Sequence, residues 1–183
     1  MTYVEIMRQN ARFALRDATA QWHQRVDSLF STADLADRAS YGQFLRAQAA
    51  AHLPAERALD AGRMEEVIPD WPVRRRAHLI REDLVAFGLD MPALEPEPVL
   101  VGVAAMLGAT YVLEGSRLGG MLVGRSVPAS FPTAYHSDGS TTAWRDLILL
   151  LDARLVTAAE LDTAIAAACD TFALFERSGR RFL

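Results

Sequence analysis

From Asn10 almost to the C-terminus, the chain repeats its apolar side chains at the α-helical period, and no stretch alternates apolar and polar residues between paired turns as strands do. That regularity restricts the fold to an all-α bundle. A first helix is expected from about Asn10 to Phe30, its stripe formed by Leu15, Ala18, Thr19, Trp22, Val26, Leu29 and Phe30. Ser40 reads as the N-cap of a helix through Tyr41, Phe44, Leu45 and Ala49, which Pro54 interrupts or kinks before the pattern resumes through Leu59. Another helix is expected from about Val73 to Phe87, with Gly88 just beyond its end. The proline-rich stretch Met91 to Pro98 connects it to a long helix from about Val99 to Val127. An irregular surface loop, Pro128 to Gly139, precedes two last helices, Thr142 to Leu155 and Ala158 to Ser178.

At 183 residues, without repeats or low-complexity runs, the chain suits one domain spanning 1–183 with one substantial core. A net charge of −4 gives no general attraction to nucleic acid or to an anionic membrane surface. All 19 basic residues are arginines, so any anion would meet guanidinium or backbone N–H groups. The single cysteine, Cys169, excludes a disulfide framework or a cysteine zinc site and reads as a small buried thiol. The uncharged run from Val99 ends at Glu114 and is too short to span a bilayer, so a buried helix is expected there. Met1 to Glu5 lacks a charged-then-apolar leader, and the expected location is the reducing cytoplasm.

Two segments carry chemistry. On the first helix His23 borders the apolar stripe, placed to ligate a metal lying in the groove above it. Asp27, one turn on, shares its side and can polarise the imidazole; Arg16, seven residues earlier, stands ~10 Å along the axis. That spacing suits a flat ligand held at its centre by a ring nitrogen and bearing an anion on its rim. A histidine four residues from an aspartate is also a common surface pair.

The long helix carries Gly108, Gly115, Gly119, Gly120 and Gly124. The four from Gly115 onward cost roughly 2–4 kcal/mol relative to alanine. Either a neighbouring helix or a flat ligand approaching bare backbone offsets that cost, and the motif alone leaves both open. Arg74-Arg75-Arg76 reads as a solvated helix face or a docking patch for an acidic electron-donor protein. His52 and His78 lack partners at metal-ligand spacing, and His136 falls in the loop. No nucleophile elbow, catalytic triad or phosphate-binding glycine loop is present.

These segments resemble the biliverdin-producing haem oxygenases, in particular their bacterial, phytochrome-associated branch. The resemblance rests on Leu15-Arg16-Asp17-Ala18-Thr19 with His23 and Asp27, on Tyr41, Phe44 and Leu45, and on Pro54 and Glu56. It continues through Tyr111-Val112-Leu113-Glu114-Gly115-Ser116, Leu118-Gly119-Gly120 and Trp144-Arg145, in order along nearly the whole chain. It implies a single-domain helical bundle that sandwiches haem between a proximal helix and the glycine-rich distal helix. His23 would be the axial iron ligand, with Asp27 behind it. Gly115, Gly119 and Gly120 would line the distal face, and Arg16 and Arg145 would face the propionates.

The implied reaction is three successive oxygenations of haem by O₂, with electrons from a ferredoxin or reductase. Its products are biliverdin, carbon monoxide and ferrous iron, and a bacteriophytochrome is the implied recipient of the bilin. Haem would be both cofactor and substrate. Many family members have an aspartate after the first distal glycine that organises proton-delivering water; this chain has Ser116 there, whose hydroxyl can hold a water, with Arg117 or water held by backbone carbonyls as the expected substitute for the carboxylate. The serine also keeps open a haem-binding protein of this fold that stores or senses haem without turning it over.

Overall fold

The computed structural model describes residues 10–137 and 141–183, and every regular element among them is helical. Helix α1 spans Ala11–Phe30, α2 Arg38–Ala61, α3 Trp71–Arg74, α4 Ala77–Ala86, α5 Gly102–Gly124, α6 Ala134–Ser137, α7 Thr141–Arg154 and α8 Ala158–Phe182. A short 3₁₀ turn lies at Met64–Glu66. Among the described residues, no helix is long and apolar enough to cross a membrane.

α1 begins where its cap requires, the Asn10 side chain accepting the Arg12 N–H. α2 starts two residues before the expected Ser40. Its cap is Asp37, whose carboxylate accepts the Ser40 N–H at 2.8 Å, while the Ser40 hydroxyl accepts the Asp34 N–H. Pro54 does not interrupt α2. The carbonyl it leaves without an intrahelical donor, that of Ala50, instead accepts the Glu95 N–H at 2.9 Å, so the 91–98 connector completes the helix ladder.

The helix expected over Val73 to Phe87 divides into α3 and α4. At the break, the Glu56 carboxylate accepts the N–H groups of Arg76 and Ala77, so α2 caps α4 from outside. α4 ends in a Schellman turn: Gly88, at φ +74°, donates to Val85 and Leu89 donates to Leu84. Val99 and Val101 stay exposed outside α5, which opens at Gly102.

The stretch expected to be a surface loop is only partly one. Within it α6 is a buried turn whose first N–H groups, on Ala134 and Tyr135, both donate to the buried Asp83 carboxylate at 2.9 Å. The Tyr41 hydroxyl donates to the Pro132 carbonyl at 2.7 Å and ties the segment to α2. Asp138 and Gly139 of the expected loop lie outside the described residues.

α8 packs against α5, α1 and α2, and so determines how far apart the other helices stand. Gly108 permits the tightest of these crossings: a Cβ there would lie 2.0 Å from the Ala164 carbonyl oxygen. Cys169, on α8, is partly exposed and not the buried thiol expected. Along α1, Leu15 and Thr19 are buried, but Trp22, Val26 and Phe30 are covered only in part. The second half of its apolar stripe therefore faces a gap.

Candidate active site

That gap is a cleft of about 430 Å³, in the size range of small-molecule and cofactor sites. One wall is α1, presenting His23, Val26, Asp27 and Phe30; the opposite wall is α5, presenting Tyr111, Gly115, Ser116, Gly119 and Gly120. Phe172 and Phe175 of α8 form the apolar floor. His23 Nδ1 stands 2.8 Å from Asp27 Oδ2, and the ring meets Phe172 edge to face with centroids 5.9 Å apart. With Nδ1 engaged, Nε2 is the nitrogen left for a ligand.

The glycines of α5 divide into three groups by what stands above them. Gly108 serves helix packing. A Cβ on Gly119 would meet nothing within 4 Å, and one on Gly115 only Trp144, at 3.8 Å, so these two leave bare backbone facing the cleft. Gly120 and Gly124 instead make room for His136, with Cβ positions 3.3 Å from its Nδ1 and 3.0 Å from its Cβ. Of the four glycines from Gly115 onward, packing against α6 therefore accounts for Gly120 and Gly124 and leaves Gly115 and Gly119 open to the cleft.

Behind the distal wall lies a buried polar cluster. Arg76 Nη2 donates to the Leu113 carbonyl at 2.8 Å and to Ser116 Oγ at 3.0 Å, and its guanidinium lies 4.6 Å from the Tyr135 ring centroid. The Ser116 hydroxyl spends its own proton on the Leu113 carbonyl at 2.7 Å. His52 joins Glu56, at 3.0 Å, to the Tyr135 hydroxyl, at 3.1 Å. Burial pushes His52 below its ordinary pKa. Burial alone would raise Glu56, but hydrogen bonds from His52 and from the Arg76 and Ala77 N–H groups hold its carboxyl below the usual range. A neutral imidazole donating through Nε2 to a carboxylate and accepting from Tyr135 satisfies the whole chain.

No family model matches this chain. A Xanthomonas campestris protein (pathovar campestris, strain 8004) named heme oxygenase is 34% identical over 146 residues, which cover 76% of this chain and 88% of that protein. The chain belongs to the haem oxygenase family. Its fold is also that of the crystallised heme oxygenase of Neisseria meningitidis, studied in NO- and CO-bound forms: the TM-score is 0.83 at 21% identity, over 95% of this chain and 92% of that one.

Within this haem oxygenase fold the expected site residues fall into two sets. His23, Asp27, Gly115, Ser116, Gly119 and Gly120 all line the cleft. Arg117, Arg16 and Arg145 do not. Arg117 is buried behind α5, donating to the Arg74 carbonyl and 3.5 Å from Glu114. Arg16 is paired with Asp17 at 2.8 Å on the exposed side of α1, and Arg145 is exposed on α7, next to Trp144.

The arginine run is also not a solvated face. Arg74 and Arg76 are buried and hydrogen-bonded to the carbonyls of Ala143 and Leu113, and only Arg75 is partly exposed. A docking patch for an electron donor therefore cannot be built from it. Sequence reasoning passed over His136, Tyr135 and the His52–Glu56 pair. The available signal was the i, i+4 spacing of His52 and Glu56 in a helix otherwise dominated by alanine.

Proposed function

We propose that this chain is a haem oxygenase that opens haem to biliverdin, carbon monoxide and ferrous iron. The observation that carries the reading is the opposition of His23, held by Asp27 through Nδ1, to the bare backbone of Gly115 and Gly119. Haem, when bound, supplies the iron that activates O₂ and is itself the ring that is cleaved. His23 would hold the iron through Nε2, with Asp27 fixing the tautomer and raising the basicity of the ring. Gly115 and Gly119 leave room for O₂ and a flat macrocycle where any side chain would intrude. Phe44, Phe172 and Phe175 exclude bulk water and cover the apolar faces of the ligand.

Arg16, exposed on α1 beside Asp17, and Arg145, exposed on α7, are the two candidates to meet the propionates. The 183 residues work as one unit in the cytoplasm. A ferredoxin or reductase supplies the electrons, and a bacteriophytochrome is a candidate recipient of the bilin.

A second reading, a haem-binding protein without turnover, is favoured by one observation: the proton of Ser116 is committed to Leu113. One assay separates the two. Haem is added to the purified protein, the Soret band is recorded, and a reductant and O₂ are then supplied. Biliverdin is the expected product. A haem complex that survives the same treatment unchanged would leave only the binding reading, and no Soret band would remove both.

A further inference from the structure

The cleft contains one polar group that nothing in the fold explains. His136 sits on α6, 3% exposed, with its ring in the cleft lining between Gly120 and Phe44. Neither ring nitrogen has a hydrogen-bond partner. A buried donor or acceptor without a partner costs about 1–3 kcal/mol, and native structures seldom retain one without a use. The molecule nevertheless arranges four features around it. Gly120 gives up a side chain to admit the ring and Gly124 one to admit the Cβ and backbone of His136, and Asp83 and Tyr41 fasten the segment that carries it. The cost of Gly120 is thus assigned to the imidazole, and that of Gly124 to the close packing of the turn that carries it.

The neighbours define what the ring can do. Ser116 has no proton to offer the cleft, because its hydroxyl donates to Leu113; Arg76 is held by Leu113 and Ser116; Tyr135 is turned to His52. Arg117 lies behind the wall. Unlike Ser116, Arg76 and Tyr135, His136 brings to the cleft both a free N–H and a free lone pair, the pair of functions needed to hold one water and pass a hydrogen bond onward. Burial and the charge of Arg76 keep the ring neutral by pushing its pKa down to about 4.

We infer that His136 is the distal polar anchor of this site, a neutral imidazole that hydrogen-bonds, directly or through one water, to whatever small ligand occupies the space over Gly115 and Gly119. It does the work that a carboxylate would do from the position of Ser116, reaching the site from a different element of the fold. The inference rests on the haem reading above, and the two can fail separately.

Azide, a small anion whose far end accepts a hydrogen bond, is the probe. It is titrated into ferric haem-loaded wild type, His136→Leu and His136→Gln, alongside haem titrations and thermal melts of the haem-free proteins. Expected results are a Soret band in all three and azide bound about two- to tenfold more weakly by His136→Leu, the equivalent of one neutral hydrogen bond. His136→Gln, which keeps a donor and an acceptor, should recover most of that loss. Haem-free His136→Leu should melt no lower than wild type, because two unpartnered nitrogens have been removed.

Equal azide affinity in wild type and His136→Leu would overturn this inference and leave the haem reading standing. So would a His136→Leu protein that melts well below wild type, or a wild-type ferric spectrum of bis-histidine type that only this substitution abolishes. A wild type that shows no Soret band would overturn both.

Discussion

His23 Nδ1 and Asp27 Oδ2 lie 2.8 Å apart across one turn of α1, with both side chains about two-thirds exposed. A pair so exposed adds little to stability, under about 1 kcal/mol. Its value is orientation. A carboxylate at that distance favours the proton on Nδ1 and leaves Nε2 as the nitrogen for a ligand of the cleft that His23 lines.

Asp27→Ala should therefore weaken haem binding and leave the fold alone. Loss of such a partner behind a metal-ligating histidine typically costs about 10–100-fold, and the exposure of this one places the expectation near tenfold. A haem titration followed at the Soret band, beside a thermal melt that moves little, checks it. Unchanged affinity would mean that Asp27 is only a surface partner.

The two kinds of glycine in α5 should respond in opposite directions. Gly108→Ala drives a Cβ into the Ala164 carbonyl, a backbone obstacle, and should destabilise by about 1–3 kcal/mol or more. Gly119→Ala meets nothing and gains helix propensity, so the haem-free protein should be up to about 1 kcal/mol more stable. The same methyl should weaken haem binding, because it stands on the bare patch. Melting curves and haem titrations of the two variants test the contrast.

His136 sets an acid limb. Its ordinary pKa of 6.5 falls to about 4 in the folded protein, through burial first and the charge of Arg76 second. Between those values the unfolded chain takes up a proton that the folded one refuses, so stability is full above pH 6.5 and is lost as pH falls toward 4. The shift corresponds to about 3 kcal/mol. His52, depressed by burial, adds in the same direction. Denaturant titrations at intervals between pH 7 and pH 4 should show the decline, and His136→Leu should flatten part of it.

Asp83 holds α6 by two backbone hydrogen bonds, although burial raises its pKa against them. Asp83→Ala should cost about 1.5–3 kcal/mol and free the segment carrying Tyr135 and His136. Hydrogen exchange at the Ala134 and Tyr135 amides should rise steeply, and azide affinity should fall as it does for His136→Leu.

The proximal half of the site was legible because its parts are local. His23 and Asp27 share a turn, and helical spacing alone puts them together. At Gly115 and Gly119 the sequence offers a choice between packing and ligand, and only the positions of Trp144 and His136 show which glycines of that run a neighbour covers. His136 was hidden because its place depends on contacts 51 and 52 residues apart in the chain: Asp83 and α6 form a turn that Pro128, Pro132 and Gly139 make look like loop. Arg74 and Arg76 misled for a related reason. Three adjacent arginines look solvated until carbonyls within α7 and α5 are seen to accept from the first and the third. At Pro54 the sequence suggests an interruption or a kink because the donor that takes up the freed Ala50 carbonyl, the Glu95 N–H, lies on a distant connector.

The most direct test of the central claim is turnover by His23→Ala. Haem-loaded wild type and variant are given a reductant and O₂, and biliverdin is followed by absorbance, with far-UV circular dichroism confirming that the variant keeps its helices. Wild type should form biliverdin, and His23→Ala should form none while staying helical. Biliverdin produced by His23→Ala at the wild-type rate would contradict the assignment of His23 as the iron ligand.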